Sequence, residues 1–204
     1  MDCYEKGTVV MNSVEFDKDR HEYKFDGKII PSVTQLIPFE KSGFVTDEQL
    51  EFARQEGIYI HGVIETFLKT NAVDDESIIR PFSDFLEESG KRFGKLVLSE
   101  TPLASSHPKF AGTPDLVFEN AIVDIKRTFH NKKIHALQCA AYNFLAAQNK
   151  VIKRTKNQLI LVIDMDSASY KTYSVYDIQA EAVFLNLVNK WHIEKQFEKY
   201  LKSF

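Results

Sequence analysis

Between Leu96 and Lys126 the chain gives up helical spacing for short apolar runs, and this change of period constrains the fold more than any other feature. Upstream, Thr46-Asp47-Glu48-Gln49 has the form of a capping box, with Thr46 as N-cap and Gln49 three residues on. Leu50, Ala53, Gly57, Ile60, Ile64 and Phe67 then recur at spacings of three and four, which predicts a helix of about six turns, buried on one face. A second helix is expected from about Arg80 to Glu88, stopping at Gly90. After it Leu96-Val97-Leu98, Thr113 to Phe118 and Ala121 to Lys126 read as strands, the last two joined at Glu119-Asn120. Lys132 to Gln148 returns to helical spacing. Leu159 to Ile163 and Tyr170 to Tyr176 read as strands, and Ile178 to Leu201 as a closing amphipathic helix.

Before all of this, Ser13 to Ile30 alternates apolar and polar residues around Asp26-Gly27, as short strands or hairpins do. Pro31-Ser32 opens a turn or short helix through Ile37. The whole predicts an α/β (α+β) fold, a central mixed sheet flanked by helices. One domain is expected over residues 1–204: a strand or hairpin extension at 1–45, then a helical region and core at 46–204.

Composition narrows the classes. Hydrophobic residues make up 44% of 204, with 16 Phe and 8 Tyr, enough for a sizeable core. No apolar run approaches the roughly 18 residues of a membrane span. The first residues show no basic stretch followed by an apolar one, so no secretory signal is expected. Cys3 and Cys139 suffice for neither a disulfide framework nor an iron–sulfur site. A cytoplasmic, reducing setting is the expectation. The net charge of −3 is not that of a general nucleic-acid coat. Its distribution is uneven: Lys126, Arg127, Lys132, Lys133, Lys150, Lys153, Arg154 and Lys156 lie in a window without Asp or Glu. The other 18 basic and 29 acidic residues leave −11 elsewhere. Such a segment is either a solvated helix face or a surface for a polyanion.

The hairpin carries the chemistry. A two-residue loop at Glu119-Asn120 pairs residues whose numbers add to 239, and Asp115 with Asp124 is such a pair. Asn tolerates the left-handed backbone that a tight loop of this kind requires. On that register two carboxylates face each other across neighbouring strands, and Lys126 shares the face of Asp124. Opposed carboxylates repel, so a positive group belongs between them. Lys126 can supply it as a structural ion pair; a divalent cation does so better, since carboxylate oxygens are natural ligands of Mg²⁺ or Mn²⁺. His61 and Glu65, four apart, share a helix face with Gly57 one turn earlier, as do Gln138 and Tyr142 on the later helix. Alone, His61 would read as a core histidine and Tyr142 as core packing.

Together, Gly112-Thr113-Pro114-Asp115 and Asp124-Ile125-Lys126 resemble the signature of the PD-(D/E)xK nuclease superfamily, whose fold has a restriction-endonuclease-like core. Gln138-x-x-x-Tyr142 resembles the QxxxY motif of its RecB-like branch, and Gly57-x-x-x-His61 the upstream histidine motif. Ile30-Pro31-Ser32-Val33-Thr34 is similar to a segment of small phage-type and mitochondrial genome-maintenance exonucleases.

The resemblance implies a metal-dependent DNA exonuclease acting on single strands or ends, with Mg²⁺ or Mn²⁺ as cofactor. His61, Asp115, Asp124 and the backbone carbonyl of Ile125 would be metal ligands, and Glu65 a ligand of a second metal or an outer water. Lys126 would orient and deprotonate the attacking water; Gln138 and Tyr142 would position substrate or brace the site. Arg127, Lys132, Lys133, Lys150, Lys153 and Arg154 are the candidate DNA contacts, and recombination or replication proteins the candidate partners. The iron–sulfur cysteines of some relatives are missing, so no such cluster is expected. Two alternatives stand beside this: a structure- or sequence-selective endonuclease on the same core, and a non-catalytic nucleic-acid-binding module.

Overall fold

A computed structural model describes residues 14–18, 20–38 and 46–203. The N-terminal residues read for a signal, and Cys3, lie outside them. The elements run β1 (Val14–Asp17), β2 (Glu22–Phe25), β3 (Lys28–Ile30), α1 (Val33–Leu36), α2 (Asp47–Thr70) and α3 (Glu76–Phe93). Then come β4 (Leu96–Ser99), β5 (Leu103–Ser106), β6 (Lys109–Gly112), β7 (Leu116–Phe118), β8 (Ala121–Lys126), α4 (Lys132–Gln148), β9 (Gln158–Asp164), β10 (Ser169–Ser174) and α5 (Ala180–Leu201). The fold is α+β.

Five strands form a mixed sheet in the order β10-β9-β8-β7-β4, with β8 and β9 parallel and the other pairs antiparallel. Because successive side chains of a strand point to opposite faces, β8 feeds two cores at once. Ile122 joins Val117 and Ile160 under α4 and α5, with Tyr142, Leu145, Phe184 and Val188. Val123 and Ile125 join Leu116, Phe118 and Leu161 under α2 and α3, with Ile60, Ile64, Phe82 and Phe85. The result is helices on both faces of the sheet. Asp124 sits on the Ile122 side, in a central strand, which is why it has no exposed surface.

Two helix starts follow the sequence. Thr46 caps α2 with the reciprocal Gln49 contact, and Ser32 caps α1 with Gln35 in the same way. The second helix is longer than expected. Asp75 is its N-cap, accepting from Ser77 N at 2.9 Å, so Pro81 lies inside it and does not start it. Its end is Gly94, at φ +84°, and Gly90 is an interior residue. The one-sided burial of α2 also holds only for its later part: Ile60, Val63 and Ile64 are buried, whereas Ala53 is exposed.

The hairpin register is as expected: Leu116↔Val123, Val117↔Ile122 and Phe118↔Ala121. The expected left-handed loop is not. Neither Glu119 nor Asn120 has a positive φ. Neighbouring chain holds the turn instead, since Phe93 and Lys95 carbonyls accept from Asn120 N and Glu119 N at 3.0 Å each. Thr155 Oγ1 and Asn157 Nδ2 donate to the Asn120 carbonyl.

The strand read from Thr113 to Phe118 begins only at Leu116. Pro114 has no N–H for a ladder, and the residues before it belong to β6, which pairs with β5 in a separate hairpin around a cis His107–Pro108 bond. That hairpin packs the N-terminal sheet onto the body through Tyr23, Phe25, Ile30, Ala104 and Ala111.

Candidate active site

Three chain segments end at one edge of the sheet: β4 just before Glu100, β7 just after Asp115, and β8 at Ile125 and Lys126. The β4–β7 pairing ends at Ser99↔Leu116, and Glu100 N donates to the Asp115 carbonyl at 3.1 Å. This places the side chains of Glu100 and Asp115 together. His61 reaches the same point from α2. Its Nδ1 lies 2.9 Å from Glu100 Oε1 and 3.7 Å from Asp115 Oδ1, and its Nε2 lies 3.3 Å from the Ile125 carbonyl oxygen. One ligand atom from each of His61, Glu100 and Asp115 fits within a mutual distance of 4.8 Å.

Asp115 and Asp124 occupy the next register step beyond Leu116↔Val123, but they do not continue the ladder as a pair. Asp115 Oδ2 instead accepts from the backbone N–H of Ile125 at 2.5 Å. Asp124 lies outside the His61–Glu100–Asp115 group. Lys126 Nζ stands 2.7 Å from its Oδ2, and its buried Oδ1 has no hydrogen-bond partner among the described residues.

The charges are strongly interdependent. Burial raises the pKa of Asp115, His61 and Lys126 oppose that, and the Asp124 charge adds to it; the net shift is upward. Burial alone would discharge His61, but Asp115 and Glu100 outweigh it and push its pKa up to about 9. Lys126 follows the same pattern: burial lowers its pKa, and Asp124 with Asp115 more than restores it. With a neutral imidazole, three carboxylates and one ammonium leave a formal −2 in one partly closed space.

On α4, Gln138 Nε2 donates to Tyr142 Oη at 3.1 Å, and both residues are buried. Tyr142 also explains Gly112. A Cβ there would lie 2.9 Å from Tyr142 Cε1 and 2.8 Å from Val33 Cγ2. The glycine therefore lets α1, β6 and α4 meet beside the site.

Other expected residues stand apart. Glu65 is engaged by Lys69 at 2.5 Å and Lys18 at 3.3 Å and does not belong to the ligand group. No protein atom beyond its own surroundings approaches within 4 Å of where a Cβ on Gly57 would stand; the residue lines an open groove of about 610 Å³ with Leu50, Ala53, His61 and Lys126. Arg127 borders that groove, paired with Glu56 at 3.1 Å.

The basic segment divides in two. Lys132 and Lys133 open α4, exposed, a few residues beyond Lys126. Lys150, Lys153 and Arg154 precede β9, whose Gln158 is registered beside Ile122 and whose Val162 is beside Lys126. About 13 Å of strand thus separates the β9 entry from the level of Lys126. Arg154 is moreover bound to Glu181 at 3.0 Å. These residues lie toward the far end of the sheet from Lys126, so the two basic clusters are separate surfaces.

Glu100 went unrecognised in the sequence. The signal available was an acidic residue closing the apolar strand Leu96–Ser99, but only the β4–β7 pairing puts it beside Asp115.

Among the described residues no helix is long and apolar enough to cross a membrane. Compared with family models and with curated proteins, the chain matches none.

Proposed function

We propose that the chain is a metal-dependent deoxyribonuclease with a restriction-endonuclease-like core, hydrolysing phosphodiester bonds in single strands or at DNA ends. The observation that carries this is the convergence of His61, Glu100 and Asp115 on one point beside a buried Asp124 that lacks a partner on one oxygen. A buried carboxylate costs several kcal/mol unless a cation compensates it, and Lys126 supplies only one positive charge. Once His61 gives up its proton, as an imidazole must to ligate a metal, the excess is −2, and carboxylate oxygens with one imidazole fit a divalent ion such as Mg²⁺ or Mn²⁺. His61, Glu100 and Asp115 would hold it, with Asp124 and the Ile125 carbonyl at the same edge.

Bound there, such an ion supplies charge neutralisation on the phosphate and acidifies water. The chain's own groups do the rest. Asp115 is fixed by the Ile125 N–H, so its orientation is set before any ligand arrives. Lys126 stands in a site whose burial favours its neutral form and whose carboxylates favour the ammonium. Neutralising those carboxylates leaves burial to lower its pKa, toward a group able to take a proton from water. Gln138 and Tyr142 brace the floor.

Incubation of end-labelled single- and double-stranded DNA with Mg²⁺ or Mn²⁺, followed by sizing of products, tests the proposal. Cleavage that chelation abolishes supports it. Metal-dependent binding without turnover favours the non-catalytic alternative.

A further inference from the structure

The metal-ligand group lies on the boundary between two unequal cavities. His61 and Ile125 border the open groove of about 610 Å³ beneath the first half of α2. Glu100 and Asp115 border a second, smaller pocket of about 190 Å³ on the side of the N-terminal sheet. A phosphate held at the ligand group therefore has room for chain on one side and for little on the other. The smaller volume falls below the roughly 300 Å³ at which pockets begin to take drug-sized ligands.

The small pocket has an aromatic wall. Phe16 and Tyr23 stack at 4.4 Å with their planes 21° apart. His21 stands edge-on to both, 5.4 Å from Phe16 and 5.8 Å from Tyr23, on a backbone with φ +51°. Tyr23 is locked by the hydrogen bond between its Oη and Thr113 Oγ1 at 2.9 Å. Phe16 is only half-buried and His21 is exposed, so the wall is open to a ligand, and the exposed Thr34 lies on the rim. Aromatic rings beside a phosphate-binding centre suit nucleobases, because every base offers a π-face.

We infer that this pocket is the subsite for a single terminal nucleobase, packed against Phe16 and His21, while the rest of the strand lies in the groove under α2. The inference rests on the nuclease reading and deepens it: a volume of about 190 Å³ leaves room for about one base, so the enzyme trims an end nucleotide by nucleotide. Circular single strands, which have no end to insert, are resistant.

The test uses single-stranded DNA carrying 2-aminopurine at one terminus or the other, with Ca²⁺ in place of the catalytic metal. Stacking quenches the fluorophore. The wild type should quench it at one terminus and not at an internal position. Phe16→Ala should abolish the quenching and weaken binding by about 5- to 150-fold, the range for loss of one base–aromatic stack. Phe16→Trp should restore it. Thr34→Trp blocks the rim without removing packing, so it should reduce end-trimming even if Phe16→Ala folds poorly. DNA that binds and is cut, with unquenched fluorophore at both termini or with circles cut as fast as linear strands, overturns the subsite and leaves the nuclease reading standing. DNA that is neither bound nor cut overturns both.

Discussion

Lys126 Nζ lies 2.7 Å from Oδ2 of Asp124, a carboxylate with no exposed surface. The pair joins a group suited to proton transfer to one suited to a cation, on adjacent same-face positions of the central strand. If Lys126 activates water, Lys126→Ala lowers turnover by roughly 10²–10⁴-fold and leaves divalent-metal binding intact. If it serves only as a counter-ion, the substitution changes the melting temperature and spares cleavage. Steady-state rates measured alongside thermal melts separate the two.

Glu100 belongs to the His61–Glu100–Asp115 group and Glu65 does not. Glu100→Gln should weaken Mn²⁺ binding at least as much as the roughly 10–100-fold typical of outer-shell losses. Glu65→Gln should leave it unchanged, because Lys18 and Lys69 already occupy that carboxylate. Titration of each variant with Mn²⁺ decides; equal weakening by both would place Glu65 at the metal after all.

A metal held by His61, Glu100 and Asp115 would compete with protons. The metal-free fold raises the pKa of His61 from 6.5 to about 9, chiefly through Asp115 and Glu100 acting against burial. A raised pKa contributes stability that is fully present below the unfolded value and lost as pH rises through the folded one. Asp115, raised from 3.8 to about 7, acts in the same direction over a lower range and ahead of the His61 window. The metal-free protein should therefore lose stability between about pH 6.5 and 9, and the rise in melting temperature on adding Ca²⁺ should grow over that interval. A Ca²⁺-induced shift independent of pH would contradict the proton competition.

Gly112 is a position of contact. A methyl group there would press within 3 Å of Val33 and Tyr142. Gly112→Ala should destabilise by about 1–3 kcal/mol, the usual cost of overpacking, as read by urea unfolding. Displacement of Tyr142 should also lower cleavage of the fraction that remains folded.

The two basic clusters should behave differently. Replacing Lys132 and Lys133 with Ala should flatten the slope of log K against log salt by on the order of one unit on single strands. Replacing Lys150 and Lys153 should not, since they lie toward the other end of the sheet. Binding in Ca²⁺ across a salt series measures both.

The sequence carried the register of the Leu116–Ala121 hairpin and the helix start at Thr46, because turn length and capping side chains act within a few residues, and apolar spacing placed the helix from Lys132 to Gln148. It also brought His61 and Asp115 forward as partners. Glu100 was hidden because its role depends on the β4–β7 pairing, which no local pattern encodes. The β5–β6 hairpin was missed for a related reason: its buried segments Leu103–Ser105 and Phe110–Gly112 are rich in small residues and lack clear alternation. Lys150 to Lys156 looked continuous with Lys126 in the chain, yet the parallel β8–β9 register carries them toward the opposite end.

Calorimetric titration of Mn²⁺ into the metal-free wild type and into Asp115→Asn tests the central claim most directly. Asp115 meets His61, Glu100 and the Ile125 N–H at one point, so the wild type should bind with saturable heat and Asp115→Asn should lose that heat while remaining folded. Absence of binding to the wild type, or equal binding by both, would contradict a metal centre at this site.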